Sequence, residues 1–159
     1  MFQSMTKRLQ DEIKQTRPFR SLEEEVLLGL ERTADVLERG IAEVLKPSAL
    51  TPTQYNVLRI LRGAGSPGLS CSEVAGRMIT RDPDATRMLD RLEARHLVTR
   101  ARDATDRRVV TTRITEEGLT LLASLDEPIE AHHRKALSCL GIEKLQLLAG
   151  LLDEARTGG

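Results

Sequence analysis

Residues 83–114 read PDATRMLDRLEARHLVTRARDATDRRVVTTRI, and the order of patterns within this stretch decides the fold. From Pro83 to about Arg95, the apolar residues Ala85, Met88, Leu89 and Leu92 fall in one sector of a helical wheel, which predicts a helix with one buried face. Opposite that sector lie Pro83, Arg87, Asp90 and Ala94, flanked by Asp84, Thr86 and Arg91. The pattern then changes. Leu97-Val98-Thr99-Arg100-Ala101-Arg102 and Val109-Val110-Thr111-Thr112-Arg113-Ile114 are β-branched runs on either side of a charged segment, Asp103 to Arg108, and they read as a hairpin with a charged tip. A merely solvated face would account for the helix charges alone. A hairpin directly after such a helix makes it a recognition helix followed by a wing.

Working upstream, Thr80-Arg81-Asp82-Pro83 breaks the chain and restarts it, with Asp82 as the expected cap and Pro83 at the first helical position. Before the break, Ser70 and Glu73 have capping-box spacing, and Val74, Ala75 and Met78 give a short apolar stripe, so the helix there is about two turns long. Two short helices around a tight break are a helix-turn-helix signal. Further upstream, Gly63 to Gly68 is a turn cluster, and Leu50-Thr51-Pro52-Thr53-Gln54-Tyr55 starts another helix: Thr51 caps, Gln54 closes the box and Leu50 staples onto Tyr55.

The flanks are helical too. Met5, Leu9 and Ile13 recur at helical spacing as far as Arg17-Pro18, and Leu22, Val26, Leu30, Ala34, Leu37 and Ile41 trace one face of a long helix that ends near Lys46-Pro47. Beyond the wing, Leu119, Leu122 and Leu125 resume the helical period, a break is expected near Glu127-Pro128, and a further helix carries His132, His133 and Leu137. A last helix sets Ile142, Leu145, Leu148 and Leu152 on one stripe. Terminal helices with such faces need a partner surface, and paired DNA half-sites call for two-fold symmetry, so a homodimer is expected.

Composition agrees with a mainly α chain, one domain over residues 1–159, with only three aromatic residues, Phe2, Phe19 and Tyr55. The formal net charge is zero, but residues 51–113 hold 12 Arg and no Lys against 7 acidic residues, a balance of +5 that the flanks cancel. A basic middle framed by acidic ends fits a nucleic-acid face, and arginine suits bidentate contact with phosphates and base edges. Codon bias toward arginine would give the same composition. Cys71 and Cys139 lie far apart with no metal-ligand spacing, so neither a disulfide framework nor a zinc site is expected. No metal or other cofactor is implied. No apolar run is long enough to span a membrane and the N-terminus lacks a signal-peptide core, so a cytoplasmic protein without membrane contact is expected. Nucleophile-elbow, HExxH and phosphate-cradling glycine motifs are all missing from the chain, which argues against an enzyme.

With these elements placed, the region from Leu50 to Gly118 resembles the MarR family, the multiple-antibiotic-resistance type of winged helix-turn-helix regulator. LTPTQYNVLRIL is similar to the family's second helix, LSCSEVAGRM to its third, PDATRMLDRLEARHLVTR to its recognition helix running into the wing, and DATDRRVVTTRITEEG to its wing and the start of its fifth helix. His96 departs from the pattern, because the family usually has glycine there. Either the helix ends in another way or His96 adopts a left-handed conformation. The resemblance implies a winged lobe over residues 50–118, dimerisation helices over 1–49 and 119–159, and a repressor of transcription on a pseudo-palindromic operator in double-stranded DNA. Release by a small anionic or phenolic ligand, or by cysteine oxidation, is implied as well.

In that arrangement Arg87 is best placed to read a base edge in the major groove, with Thr86 and Arg91 next. Asp84 and Asp90 either accept from cytosine or orient the arginines, and Ser72 and Thr80 are candidate phosphate donors. The resemblance implies one wing arginine in the minor groove. Arg107 is taken as that finger, with an Asp106–Arg108 ion pair stiffening the tip, although the two arginines could exchange roles. Cys71, at the expected first helical position after Ser70, is either a candidate redox sensor or a small packing residue. A winged module that binds only protein is the rival reading; it would share the fold without needing a cationic wing tip.

Overall fold

The computed structural model describes residues 9–80, 84–102 and 110–158. The chain divides into two units, residues 1–40 and 41–159. In the first, a single described turn, α1 (Leu9–Glu12), is stopped by Lys14, whose φ of 54° is left-handed. The Gln15 N–H then donates to the Gln10 carbonyl (2.9 Å), so the helix ends before the expected Arg17-Pro18. The long helix α2 (Leu22–Leu45) follows, with Glu23, Glu24 and Glu25 in its first turn, where acidic groups complement the helix dipole. Its portion within the first unit leaves Leu22, Val26, Leu27 and Val36 about half exposed or more.

The second unit begins with the last turn of α2 and a 3-10 turn (Lys46–Ser48). Ala49, left-handed at φ 49°, reverses the chain into α3 (Pro52–Ala64). Here the expected capping box is complete: Thr51 Oγ1 accepts from the Gln54 N–H (3.1 Å) and Gln54 Oε1 from the Thr51 N–H (3.0 Å). Such a cap contributes about 1 kcal/mol. Leu50 and Tyr55 on either side of it are buried, as a hydrophobic staple requires. The second box holds as well, with Ser70 and Glu73 bonding reciprocally at the start of α4 (Cys71–Arg77).

Between these helices lies a strand that periodicity misses, β1 (Leu69–Ser70), because two residues show no alternation. After α5 (Ala85–Ala94) come β2 (Val98–Arg102) and β3 (Val110–Ile114), which form the hairpin. The antiparallel sheet has the order β1-β3-β2, with Val98 opposite Ile114 and Arg102 opposite Val110. Gly68, at φ 70°, makes the close approach of β1 to β3 possible, since a Cβ there would lie 2.5 Å from the Thr112 carbonyl oxygen.

α6 (Glu116–Ala136) corrects the expectation of a break at Glu127-Pro128: it is one helix that passes through Pro128. An interior proline costs about 3 kcal/mol. Leu122, Leu125 and Ile129 are buried on both sides of it, and each buried aliphatic side chain contributes roughly 1.5–3 kcal/mol, enough to carry the helix across. The bidentate pair from Arg62 to Asp126 (2.9 and 3.0 Å) fixes α6 to α3. The core of the unit gathers Leu45, Leu58, Leu61, Val74, Leu89, Leu92, Val98 and Leu122, so α3, α4, α5, the sheet and α6 share one interior. α7 (Ile142–Thr157) closes the chain with no buried residue and with Ile142, Leu147 and Leu151 exposed.

Candidate nucleic-acid interface

α5 is held from behind. Ala85, Met88, Leu89 and Leu92 are buried, and this apolar stripe leaves Thr86, Arg87, Asp90 and Arg91 exposed along the other face. Asp84 occupies the position before the helix without a side-chain capping bond, and its carboxylate lies 3.3 Å from the Arg87 guanidinium one turn on. Arg91 is exposed and makes no ion pair among the described residues. The capping role expected of Asp82 and the position of Pro83 lie outside the described residues, as do Asp106, Arg107 and Arg108 at the wing tip.

The C-terminal end of α5 is closed by the left-handed route. His96 has φ 58°, its N–H donates to the Glu93 carbonyl (2.8 Å), and the Leu97 N–H reaches back to Leu92 (3.0 Å). This is the glycine-type helix stop built on a histidine, at a conformational cost of roughly 1–2 kcal/mol. The next helix supports it, since Thr115 Oγ1 donates to the His96 carbonyl (2.7 Å) while accepting from the Gly118 N–H (3.1 Å) at the start of α6.

Ser72 and Thr80, the two candidate phosphate donors, are both exposed; Ser72 Oγ lies 3.1 Å from Ser70 Oγ. Cys71 is half buried, and its Sγ sits 3.6 Å from Thr86 Oγ1, so thiol and hydroxyl join α4 to α5. Cys139 is exposed. Glu73 has its carboxyl held below the usual carboxylate range, first by the Ser70 hydroxyl and then by the Ser70 backbone N–H. The adjacent histidines divide: His133 is exposed on α6, whereas His132 is half buried with its Nε2 shielded and unbonded among the described residues.

Three arginines that the sequence reading left out turn out to set the frame. Arg95 donates to the carbonyl oxygens of Ala49 (2.7 Å) and Ser48 (2.9 Å), Arg113 donates to that of Ser66 (2.8 Å), and Arg100 on β2 pairs with both Asp90 and Glu93 of α5. Carbonyl partners leave no signature in a sequence. The Arg100 cluster left a faint one, two acids three apart on the helix and a basic residue alternating with the buried Val98 on the strand.

The description "MarR family" belongs to the family model that matches residues 50–110. Over 94 residues the chain is 34% identical to the transcriptional repressor MdtR of Bacillus subtilis, a match that covers 59% of this chain and 59% of MdtR. A crystal structure of a MarR transcription factor from Planctomyces limnophilus is 38% identical, covering 86% of this chain and 98% of that one, with a TM-score of 0.66. The chain belongs to the MarR family. Its fold also matches that of a mutant MarR from E. coli solved with operator DNA, at a TM-score of 0.75 and 24% identity, over 85% of this chain and 98% of that one. Within the MarR frame, α4 and α5 are the helix-turn-helix, and β2 and β3 are the stem of the wing.

Proposed function

We propose that this MarR-family chain is a transcriptional regulator that binds a pseudo-palindromic operator in double-stranded DNA as a homodimer, represses from it, and is released by a small anionic or phenolic ligand. The observation that carries the reading is the two-sided character of α5. One side is packed into the core, and the other offers Thr86, Arg87 and Arg91 to solvent beside a hairpin. In this reading Arg87 contacts a base edge, with Asp84 orienting its guanidinium, and Ser72 and Thr80 donate to phosphates. A wing arginine, Arg107, makes the minor-groove contact in this proposal.

The dimer assignment draws on the exposed Leu22, Val26 and Leu27 of α2 and the exposed Ile142, Leu147 and Leu151 of α7, faces too apolar to be left in water. Residues 1–49 and 119–159 supply the interface in this proposal, and residues 50–118 form the DNA-binding lobe. Among the described residues, no helix is long and apolar enough to cross a membrane and no group of acidic, histidine and cysteine side chains could hold a metal ion. A cytoplasmic, non-catalytic role belongs to the same proposal and draws on the likeness to transcriptional regulators. The test is a mobility-shift titration against DNA upstream of the protein's own gene at two salt concentrations. Specific, salt-sensitive binding supports the reading, and no binding above that of unrelated DNA overturns it.

A further inference from the structure

The arginine at the middle of β2 is turned away from solvent more than a phosphate contact would be. Arg100 is about one quarter exposed, and its guanidinium lies between two carboxylates of α5. Its Nε donates to Glu93 Oε2 (2.8 Å), one terminal nitrogen lies 2.8 Å from the same oxygen and also donates to Asp90, and its backbone N–H donates to Glu93 Oε1 (3.1 Å). Glu93 thus binds both the side chain and the main chain of one strand residue. Arg100 is also paired across the ladder with Thr112 of β3, so the restraint extends into the whole hairpin stem.

We propose that Arg100 is a positioning residue that locks the stem of the wing to the recognition helix through Asp90 and Glu93, so that the helix and the wing meet DNA in one fixed geometry. The inference rests on the DNA-binding reading above. A guanidinium that spends its Nε and one terminal nitrogen on two carboxylates is charge-compensated and fixed in direction, and a lysine ammonium cannot reproduce that planar fork. Asp90 and Glu93 sit on the helix that faces a polyanion in this reading, where uncompensated acids would weaken binding. Pairing with Arg100 offsets one of their two charges and gives both acids a structural role.

Three substitutions separate positioning from direct contact, each measured by titration of the same DNA at several salt concentrations with the wild type alongside. If the wild type binds no DNA specifically, the functional reading fails first and the comparison is not reached. With binding established, Glu93→Gln is the decisive variant: removing a negative charge near phosphates strengthens binding if charge alone matters, whereas loss of the lock weakens it, by about tenfold. Arg100→Lys keeps the charge but not the fork, and positioning requires it to bind about as weakly as Arg100→Ala. Neither Arg100 variant should change the slope of log affinity against log salt, whereas loss of a phosphate contact lowers that slope by about one. Thermal unfolding of each variant identifies loss of the fold. Rescue by lysine together with a reduced slope would overturn the proposal, as would tighter binding by Glu93→Gln.

Discussion

Replacing Gly118 by alanine sets helix propensity against packing in a way that tests how the wing is attached. By propensity, alanine inside a helix is better than glycine by about 1 kcal/mol. At Gly118, near the start of α6, a Cβ would lie 2.4 Å from the Leu97 carbonyl oxygen and 2.7 Å from Ile114 Cγ1. The carbonyl is not free to retreat, because it accepts the Thr115 N–H (3.1 Å), the bond that brings the end of β3 against the base of β2. Overpacking costs about 1–3 kcal/mol, and loss of that hydrogen bond adds about 1 kcal/mol. The propensity gain is outweighed, and Gly118→Ala is expected to destabilise by roughly 1–3 kcal/mol after the opposing contributions are combined. In a domain of this size that lowers the unfolding midpoint by about 2–4 °C per kcal/mol. Gly63→Ala in α3 is the internal control, since nothing lies within 4 Å of the Cβ it would add, and it should stabilise by up to about 1 kcal/mol. Both are measured by thermal and denaturant unfolding at one protein concentration, because a dimer's stability depends on concentration. If Gly118→Ala were as stable as the wild type, the close approach of α6 to the wing base would be wrong.

Thr112 is 1% exposed with its Oγ1 unbonded among the described residues, so Thr112→Val should raise stability by about 1 kcal/mol in denaturant melts, and a loss would mean that the hydroxyl has a partner. The Asp126 carboxyl is held below its ordinary range, first by its hydrogen bond with Arg62, so its contribution is present above the unfolded pKa near 4 and is lost as pH falls through the lower folded value. Asp126→Asn should therefore flatten the acid limb of the stability profile while changing neutral stability by less than about 1 kcal/mol, as befits an exposed pair. Arg87→Ala should cost about 1–3 kcal/mol on the specific operator and much less on unrelated DNA; equal losses on both would make Arg87 a phosphate contact. Cys71→Ser should keep DNA binding with and without peroxide, and a wild-type peroxide response that the variant lacks would assign the thiol a sensing role.

The recognition helix and the wing stem were legible because their cues are local. Ala85, Met88, Leu89 and Leu92 repeat at helical spacing, the two β-branched runs alternate, and the Thr51–Gln54 and Ser70–Glu73 boxes lie three residues apart. What escaped notice depends on partners distant in the chain. β1 exists because Leu69 and Ser70 meet Thr112 and Thr111, more than forty positions away, and the arginine clamps to Ser48, Ala49 and Ser66 end on backbone carbonyls that any residue would supply. Pro128 misled in the opposite direction. A strong local signal for a break was overruled by burial of Leu125 and Ile129, which only tertiary packing provides. For the candidate interface, sequence identified which face of α5 is exposed, but it did not reveal that Asp90 is engaged by Arg100.

A three-stranded sheet that is not closed into a barrel has two open edges, each a template on which another chain's strand could add. Here β1 exposes only two residues along one side, too short to nucleate pairing, and β2 forms the other side with Arg100 and Arg102 among its five residues. The positive charge of Arg102 on this edge strand repels a second copy of the same strand, and engagement of Arg100 by α5 ties that edge to a helix. The feature that holds the wing in place therefore also discourages the sheet from growing into an aggregate, and a variant freed from it should reveal this first as a loss of solubility on storage at high concentration.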